Sequence, residues 1–199
     1  MPVGDRTTYV IDREDRLTSV NSGWSAFAEA NGAEDLDRAH VVGDSIWRHI
    51  RGTGARRFFQ AVFDKARRSE DGLEFPFRCD SPDTRRQMQM RIRPSEDGSL
   101  HMETFIREEA PRRVPGLYEP PDDRLPTEGG HVVCTVCKAV RDPGGTWYEL
   151  DDALEQLELF IGPQSPTPAY DVCPTCEQEI FDEREAAALA ASGLDAQPV

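Results

Sequence analysis

The chain has 199 residues and a formal net charge of −14. That length leaves room for one ordinary domain and a small second one, and no apolar run reaches the length of a membrane span. The charge is uneven: residues 117–199 hold 17 acidic and 4 basic side chains. This argues against nucleic acid as a partner, because phosphate contacts need a basic surface.

In chain order, Tyr9-Val10-Ile11 and Leu17-Thr18-Ser19-Val20 read as two short strands. Asp12 to Asp15 form the tight turn between them. Asn21-Ser22-Gly23 opens a helix carrying Trp24, Phe27 and Ala28, and Asn31-Gly32 ends it. A second helical region is expected from about Gly43 to Ile50, and a longer one from Ala55 to Ser69. In the longer helix Phe59, Val62, Phe63 and Ala66 make an apolar stripe with Phe58 beside it. Arg56, Arg57, Lys65, Arg67 and Arg68 are expected to face water.

Three strands with period two follow. Leu73, Phe75, Phe77 and Cys79 share one face of the first, Met88, Met90 and Ile92 one face of the second, and Leu100, Met102, Thr104 and Ile106 one face of the third. Ser81-Pro82-Asp83 and Ser95-Glu96-Asp97-Gly98 are the turns. The pattern is an antiparallel meander with one buried face, which the helices must cover. Cys79 reads as a small buried hydrophobe.

Residues 109–130 carry five prolines among charged and small residues and read as a linker. Beyond it, Cys134-Thr-Val-Cys137 and Cys173-Pro-Thr-Cys176 form two C-x-x-C pairs. Each pair offers two thiolates to a metal, and together they close a tetrahedral shell. A shell filled by Cys134, Cys137, Cys173 and Cys176 leaves no place for water or substrate, so the expected ion is a structural Zn²⁺. Such an ion also supplies the staple that a small unit needs. Around the pairs, Asp142-Pro143-Gly144-Gly145 is a turn and Trp147-Tyr148 a strand. Asp151-Asp152 caps a short helix that presents Ala153, Leu154, Leu157 and Phe160. The second pair runs into one helix from about Glu177 to Ala190. The expected organisation is an α+β domain over 1–108, the linker over 109–130, a four-cysteine zinc module over 131–190 and a disordered tail over 191–199.

The order of elements up to residue 108 resembles that of a PAS domain. The stretch from Tyr9-Val-Ile-Asp12 through Val20-Asn21 to Trp24 is similar to that family's opening. Val42-Gly43-Asp44-Ser45 and Phe75-Pro-Phe-Arg-Cys-Asp-Ser-Pro82, followed by Arg85-Arg86 and Met88, resemble further PAS motifs. The segment from Cys134-x-x-Cys137-Lys138-x-Val140-Arg141-Asp142 through Trp147 to Cys173-Pro-x-Cys176 resembles a zinc-ribbon-like piece attached to bacterial PAS and two-component signalling proteins. There a Ser-His-Gly-Ile commonly precedes the second pair; here Ala169, Tyr170, Asp171 and Val172 hold those places. The resemblance implies an α+β fold with a PAS-like antiparallel sheet, covering helices and a small zinc-binding module. It implies a sensor or adaptor in bacterial signal transduction that acts by protein–protein interaction, and a sheet–helix cavity able to take a small-molecule ligand. Pairing of two copies through the sheet is a further implication, which the short N-terminal segment weakens.

Other chemistry finds little support. No reactive cysteine lies between Ile46 and Arg51, where light-sensing flavin PAS domains carry one. His40 and His49 read as surface or capping residues, and Trp24 and Trp47 as core aromatics. His101-Met-Glu103 supplies half of a zinc-deaminase signature, but Val172 stands where a proline belongs and four cysteines fill the shell. No Ser-His-Asp set, phosphate loop or kinase signature is present, so no enzymatic activity is expected. Met1 to Val10 lacks a basic stretch followed by an apolar core, and metal-type cysteines suit a reducing cytosol. The competing reading is a thiol redox sensor, in which the pairs oxidise and release zinc.

Overall fold

The computed structural model describes residues 6–30, 33, 36, 38–50, 52–81, 84–111, 131–157 and 168–192. The helix stop at Asn31-Gly32, the turn residues Pro82 and Asp83, most of the linker (112–130), Phe160 and the last residues of the tail (193–199) lie outside the described residues. The protein is α+β, and the chain divides into two compact units. One comprises Met1–Arg51, Phe59–Phe77 and Gln87–Glu108; the other comprises Gly52–Phe58, Arg78–Arg86 and Glu109–Val199.

The first unit is built on a five-stranded sheet. In chain order the elements up to Pro111 are β1 (Arg6–Ile11), β2 (Leu17–Val20), α1 (Ser22–Ala30), α2 (Arg38–Val41), α3 (Thr53–Arg68), β3 (Leu73–Arg78), β4 (Thr84–Pro94) and β5 (Leu100–Pro111). The sheet order is β2-β1-β5-β4-β3. β1 lies antiparallel to both β2 and β5, with Tyr9 opposite Val20 and Met102. The hairpin between β1 and β2 forms because Asp12 closes it: its Oδ1 accepts the Glu14 and Arg16 amides at 3.0 and 2.8 Å. Asp15 then takes φ 61°. Asn21 caps α1, its Oδ1 accepting the Trp24 amide at 2.9 Å.

The alternation expected in β4 and β5 is present with two exceptions: Gln89 is buried beside Met88 and Met90, and Ile106 is only half-buried. Met88, Met90, Ile92, Leu100, Met102 and Thr104 are buried, and with Ile11, Leu17, Phe75, Val62, Phe63 and Ala66 they supply this unit's interior. The indole N–H groups are used structurally. Trp24 donates to the Leu36 carbonyl at 2.6 Å and Trp47 to Asp15 Oδ2 at 3.1 Å.

Three expectations are corrected. No helix runs from 43 to 50: α2 ends at Val41, and a short 3₁₀ turn at Ile46–Arg48 follows. Gly43, at φ +96°, breaks the path, and its amide and the Asp44 carbonyl bond to Leu17 instead of continuing a helix. In α3 the buried line is Ala55, Phe58, Val62 and Ala66, with Phe59 only half-buried. Spacings of three and four fit either phenylalanine, so periodicity could not rank them. Arg67 does not simply face water. Its guanidinium pairs with Asp15 Oδ1 at 2.6 Å and donates to the carbonyls of Asp12 and Gly98, tying α3 to two turns.

The second unit carries the cysteines. Its elements are β6 (Val132–Cys134), β7 (Val140–Arg141), β8 (Trp147–Tyr148), α4 (Leu150–Gln156), β9 (Ala169–Asp171), α5 (Pro174–Ile180) and α6 (Glu183–Ser192). The strands form a sheet ordered β8-β7-β6-β9, with β9 parallel to β6. Val140, Leu150, Ala153 and Leu154 make a small apolar cluster against Val133, Tyr148 and Leu157. Glu149, not the Asp151-Asp152 pair, caps α4, accepting the Asp151 amide at 2.7 Å. The expected single helix over 177–190 is two helices. Phe181 turns extended, and Asp182 opens α6 with a reciprocal box: Asp182 Oδ1 accepts the Glu185 amide at 2.9 Å and Glu185 Oε2 accepts the Asp182 amide at 3.1 Å.

Candidate metal centre

The two C-x-x-C pairs reach one point from two different local structures. Cys134 ends β6, and the chain then turns back on itself. The Lys138 amide donates to the Cys134 carbonyl at 3.0 Å and the Cys134 amide to the Ala139 carbonyl at 2.7 Å. Closing so tight a loop requires a left-handed residue, and Lys138 supplies it at φ 66°. Lys138 Nζ is held by the Thr135 carbonyl at 3.0 Å. Cys173 instead sits at the N-cap of α5 in extended conformation, with Pro174 opening the helix, so Cys176 falls in its first turn. The parallel pairing of Cys134 with Asp171 brings the two loops together, and the Asp171 carbonyl accepts both the Thr135 amide at 2.8 Å and its hydroxyl at 3.2 Å.

All four sulfurs lie within 4.8 Å of one another. Cys134 and Cys176 Sγ are 4.0 Å apart, and Cys137 and Cys173 Sγ 3.6 Å. A disulfide needs about 2.05 Å. Four sulfurs around an ion at about 2.3 Å stand roughly 3.8 Å apart at the corners of a tetrahedron. The cluster has the second spacing, so these residues fit a metal ion. Two backbone amides already point at sulfur: Cys173 N to Cys134 Sγ at 3.3 Å and Ala139 N to Cys137 Sγ at 3.5 Å. Such donors orient thiolate ligands and offset their charge. Cys134, Cys173 and Cys176 are buried, which keeps the sulfurs away from bulk water.

Electrostatics point the same way. Hydrogen bonds from Cys137, Cys173 and Cys176 pull the Cys134 thiol far below its ordinary range. Hydrogen bonding to Cys134, then to Cys137 and Cys173, pushes Cys176 far above it. Four thiolates so close cannot all ionise unaided, because like charges in a shared site raise one another. A bound cation removes that conflict.

Cys79 is not part of the group. It lies just past the end of β3 and is half-buried, not buried within the apolar face; burial pushes its thiol up, and Lys138 and Arg86 only partly oppose that. The sequence reading missed its neighbour. Alternation puts Arg78 on the polar face of β3, yet its side chain is 8% exposed and pairs with Asp80 at 5%. It also pairs with Glu149. Burial alone would lower the Arg78 pKa, but the two carboxylates hold it raised. The Glu149 carboxyl is held low despite burial, by the Asp151 amide and by Arg78 and Arg85. Asp80 is two residues from Arg78, but Glu149 is 71 residues away, and no local pattern marks that partner.

The other candidates belong to the first unit. His40 is exposed, and His49 ends the 3₁₀ turn with Asp44 Oδ2 at 3.9 Å. His101 and Glu103 lie on β5, where His101 pairs with Val10 and Glu103 with Thr8. No helix among the described residues is long and apolar enough to cross a membrane.

No family model matches the chain, and no curated protein does. Among solved structures the chain is similar to the PAS domain of an HTR-like protein from Haloarcula marismortui, at 18% identity and a TM-score of 0.32, over 51% of this chain and 79% of that one. At that score the likeness carries no argument.

Proposed function

We propose that this chain is a cytoplasmic, non-enzymatic sensor or adaptor of bacterial signal transduction. In this reading Cys134, Cys137, Cys173 and Cys176 hold a structural Zn²⁺ that fixes a protein-binding unit. The observation that carries the reading is the four-sulfur cluster with tetrahedral spacing. Four protein ligands leave no open coordination position, so the ion serves the fold and not a reaction. Its contribution is large: structural zinc in small domains supplies on the order of 10 kcal/mol of folding free energy. The small apolar cluster around Val140 and Leu154 could not supply that alone. The α+β element order supports a sensing role for the first unit, biased by a small molecule or by a partner. The acidic residues of 117–199 favour a basic protein surface as the partner and disfavour nucleic acid.

Native and denaturing mass spectrometry of freshly purified protein tests this. The expected result is a native excess of one zinc ion. A further co-purified mass would make the first unit a small-molecule sensor and reveal the ligand's chemistry. A chain without metal, four hydrogens light under denaturing conditions, would replace this reading with the thiol redox sensor.

A further inference from the structure

Within the second unit, the first cysteine loop is gripped by a segment from far upstream, residues 78–86. The Arg78 amide donates to the Val136 carbonyl at 2.7 Å. Val136 lies between the two cysteines of the first pair and is 2% exposed, so this bond is made inside the loop that aims both sulfurs. The Arg78 main chain is in turn pinned by its own side chain. The guanidinium grips Asp80, with Nε to Oδ1 at 3.2 Å, and reaches Glu149 through Nη1. Asp80 Oδ1 also accepts the Arg86 amide at 3.1 Å, which ties the end of β3 to the start of β4. Glu149 is fixed as the cap of α4, and Arg85 lies 3.9 Å from Glu149 and 3.6 Å from Asp151.

We infer that Arg78 is a positioning residue of the metal site: its clasp with Asp80 and Glu149 holds the amide that fixes Val136, and through Val136 the spacing of Cys134 and Cys137. The inference rests on the proposed reading that the four cysteines hold a metal ion. By linkage the effect runs both ways, so the ion also orders residues 78–86. Removing the guanidinium leaves Asp80, almost fully buried, without the cation that faces it, and Glu149 with Arg85 at 3.9 Å.

The test uses the full, zinc-loaded chain. Zinc release to a chromogenic chelator is timed for wild type, Arg78→Ala, Arg78→Lys, Glu149→Gln and the double variant Arg78→Ala/Glu149→Gln. Amide exchange over residues 78–86 is followed before and after chelation, with residues 88–106 as the control for intact folding. Arg78→Ala is expected to release zinc about tenfold faster, as loss of an outer contact to a metal site typically does. Arg78→Lys keeps the charge but not the fork and falls between. The double variant is expected to be no faster than Arg78→Ala, because both lesions break one path. Chelation of the wild type is expected to raise exchange over 78–86. Unchanged release from both Arg78 variants, or exchange over 78–86 that ignores chelation, overturns the inference while leaving the metal reading intact. A wild-type chain that takes up no ion overturns the metal reading and this inference with it. If Arg78→Ala disturbs residues 88–106, the Arg78→Lys release rate decides.

Discussion

Gly54 offers a test in which two physical effects oppose each other. It lies in the first turn of α3, and replacing a helical glycine by alanine ordinarily stabilises by about 0.5–1 kcal/mol. Here a Cβ would stand 1.8 Å from Asp171 Oδ1, 2.5 Å from its Cγ and 3.2 Å from its Cα. The carboxylate must swing away. That breaks its bond to the Val172 amide, 2.9 Å long, at a cost of about 1 kcal/mol. An off-rotamer Asp171 adds about 1 kcal/mol. Swinging the side chain does not relieve the crowding against the Asp171 main chain, so β9 must also shift, and overpacking of this kind costs about 1–3 kcal/mol. The sum favours destabilisation by about 2–4 kcal/mol despite the helix gain. Urea midpoints of metal-replete Gly54→Ala and wild type measure it, with exchange over 169–173 locating the strain. In an Asp171→Ala background the same change should cost markedly less, since the two nearest clashing atoms are gone. A Gly54→Ala protein more stable than wild type, or one whose cost is the same in both backgrounds, would refute the steric argument.

Cys79→Ser should leave one zinc per chain while Cys137→Ser lowers the zinc content, both read by native mass; loss of metal from the Cys79 variant would mean that the ligand set is misassigned. Burial pushes the Tyr9 hydroxyl from 10.0 up to about 12, so its share of stability is complete below pH 10 and disappears as pH rises toward 12. Absorbance titration should show a late tyrosine ionisation, and Tyr9→Phe should remove that late phase. Gly72 holds φ +75° with space for no Cβ, which would meet the Ile92 carbonyl oxygen at 2.0 Å. Gly72→Ala should therefore cost the first unit about 3 kcal/mol, from the left-handed backbone and the clash together, and a thermal midpoint at the wild-type value would contradict this.

The sequence by itself determined the features that depend on local pattern. Alternation in β4 and β5 named Met88, Met90, Ile92, Leu100 and Met102 as interior, because a strand's period of two needs only one buried face to be readable. The C-x-x-C spacing named four candidate ligands, because a metal shell demands a ligand type and a count whatever the fold. Local pattern failed where a remote partner decided the outcome. Arg78 sits on what alternation calls a polar face, yet Glu149, 71 residues away, joins the nearby Asp80 in allowing it to be buried. Phe58 and Phe59 satisfy the same helical spacing. Phe58 takes the buried place, where it meets Phe181 edge to face with ring centroids 5.8 Å apart. Asp182 breaks the last helix because its box with Glu185 competes with continuation past Ile180. At Gly52 and Gly54 only the approach of Tyr170 and Asp171 shows why neither position has room for a side chain. Periodicity and ligand chemistry are properties of a segment. Close approach and charge pairing are properties of two segments, and the tertiary structure alone brings those together.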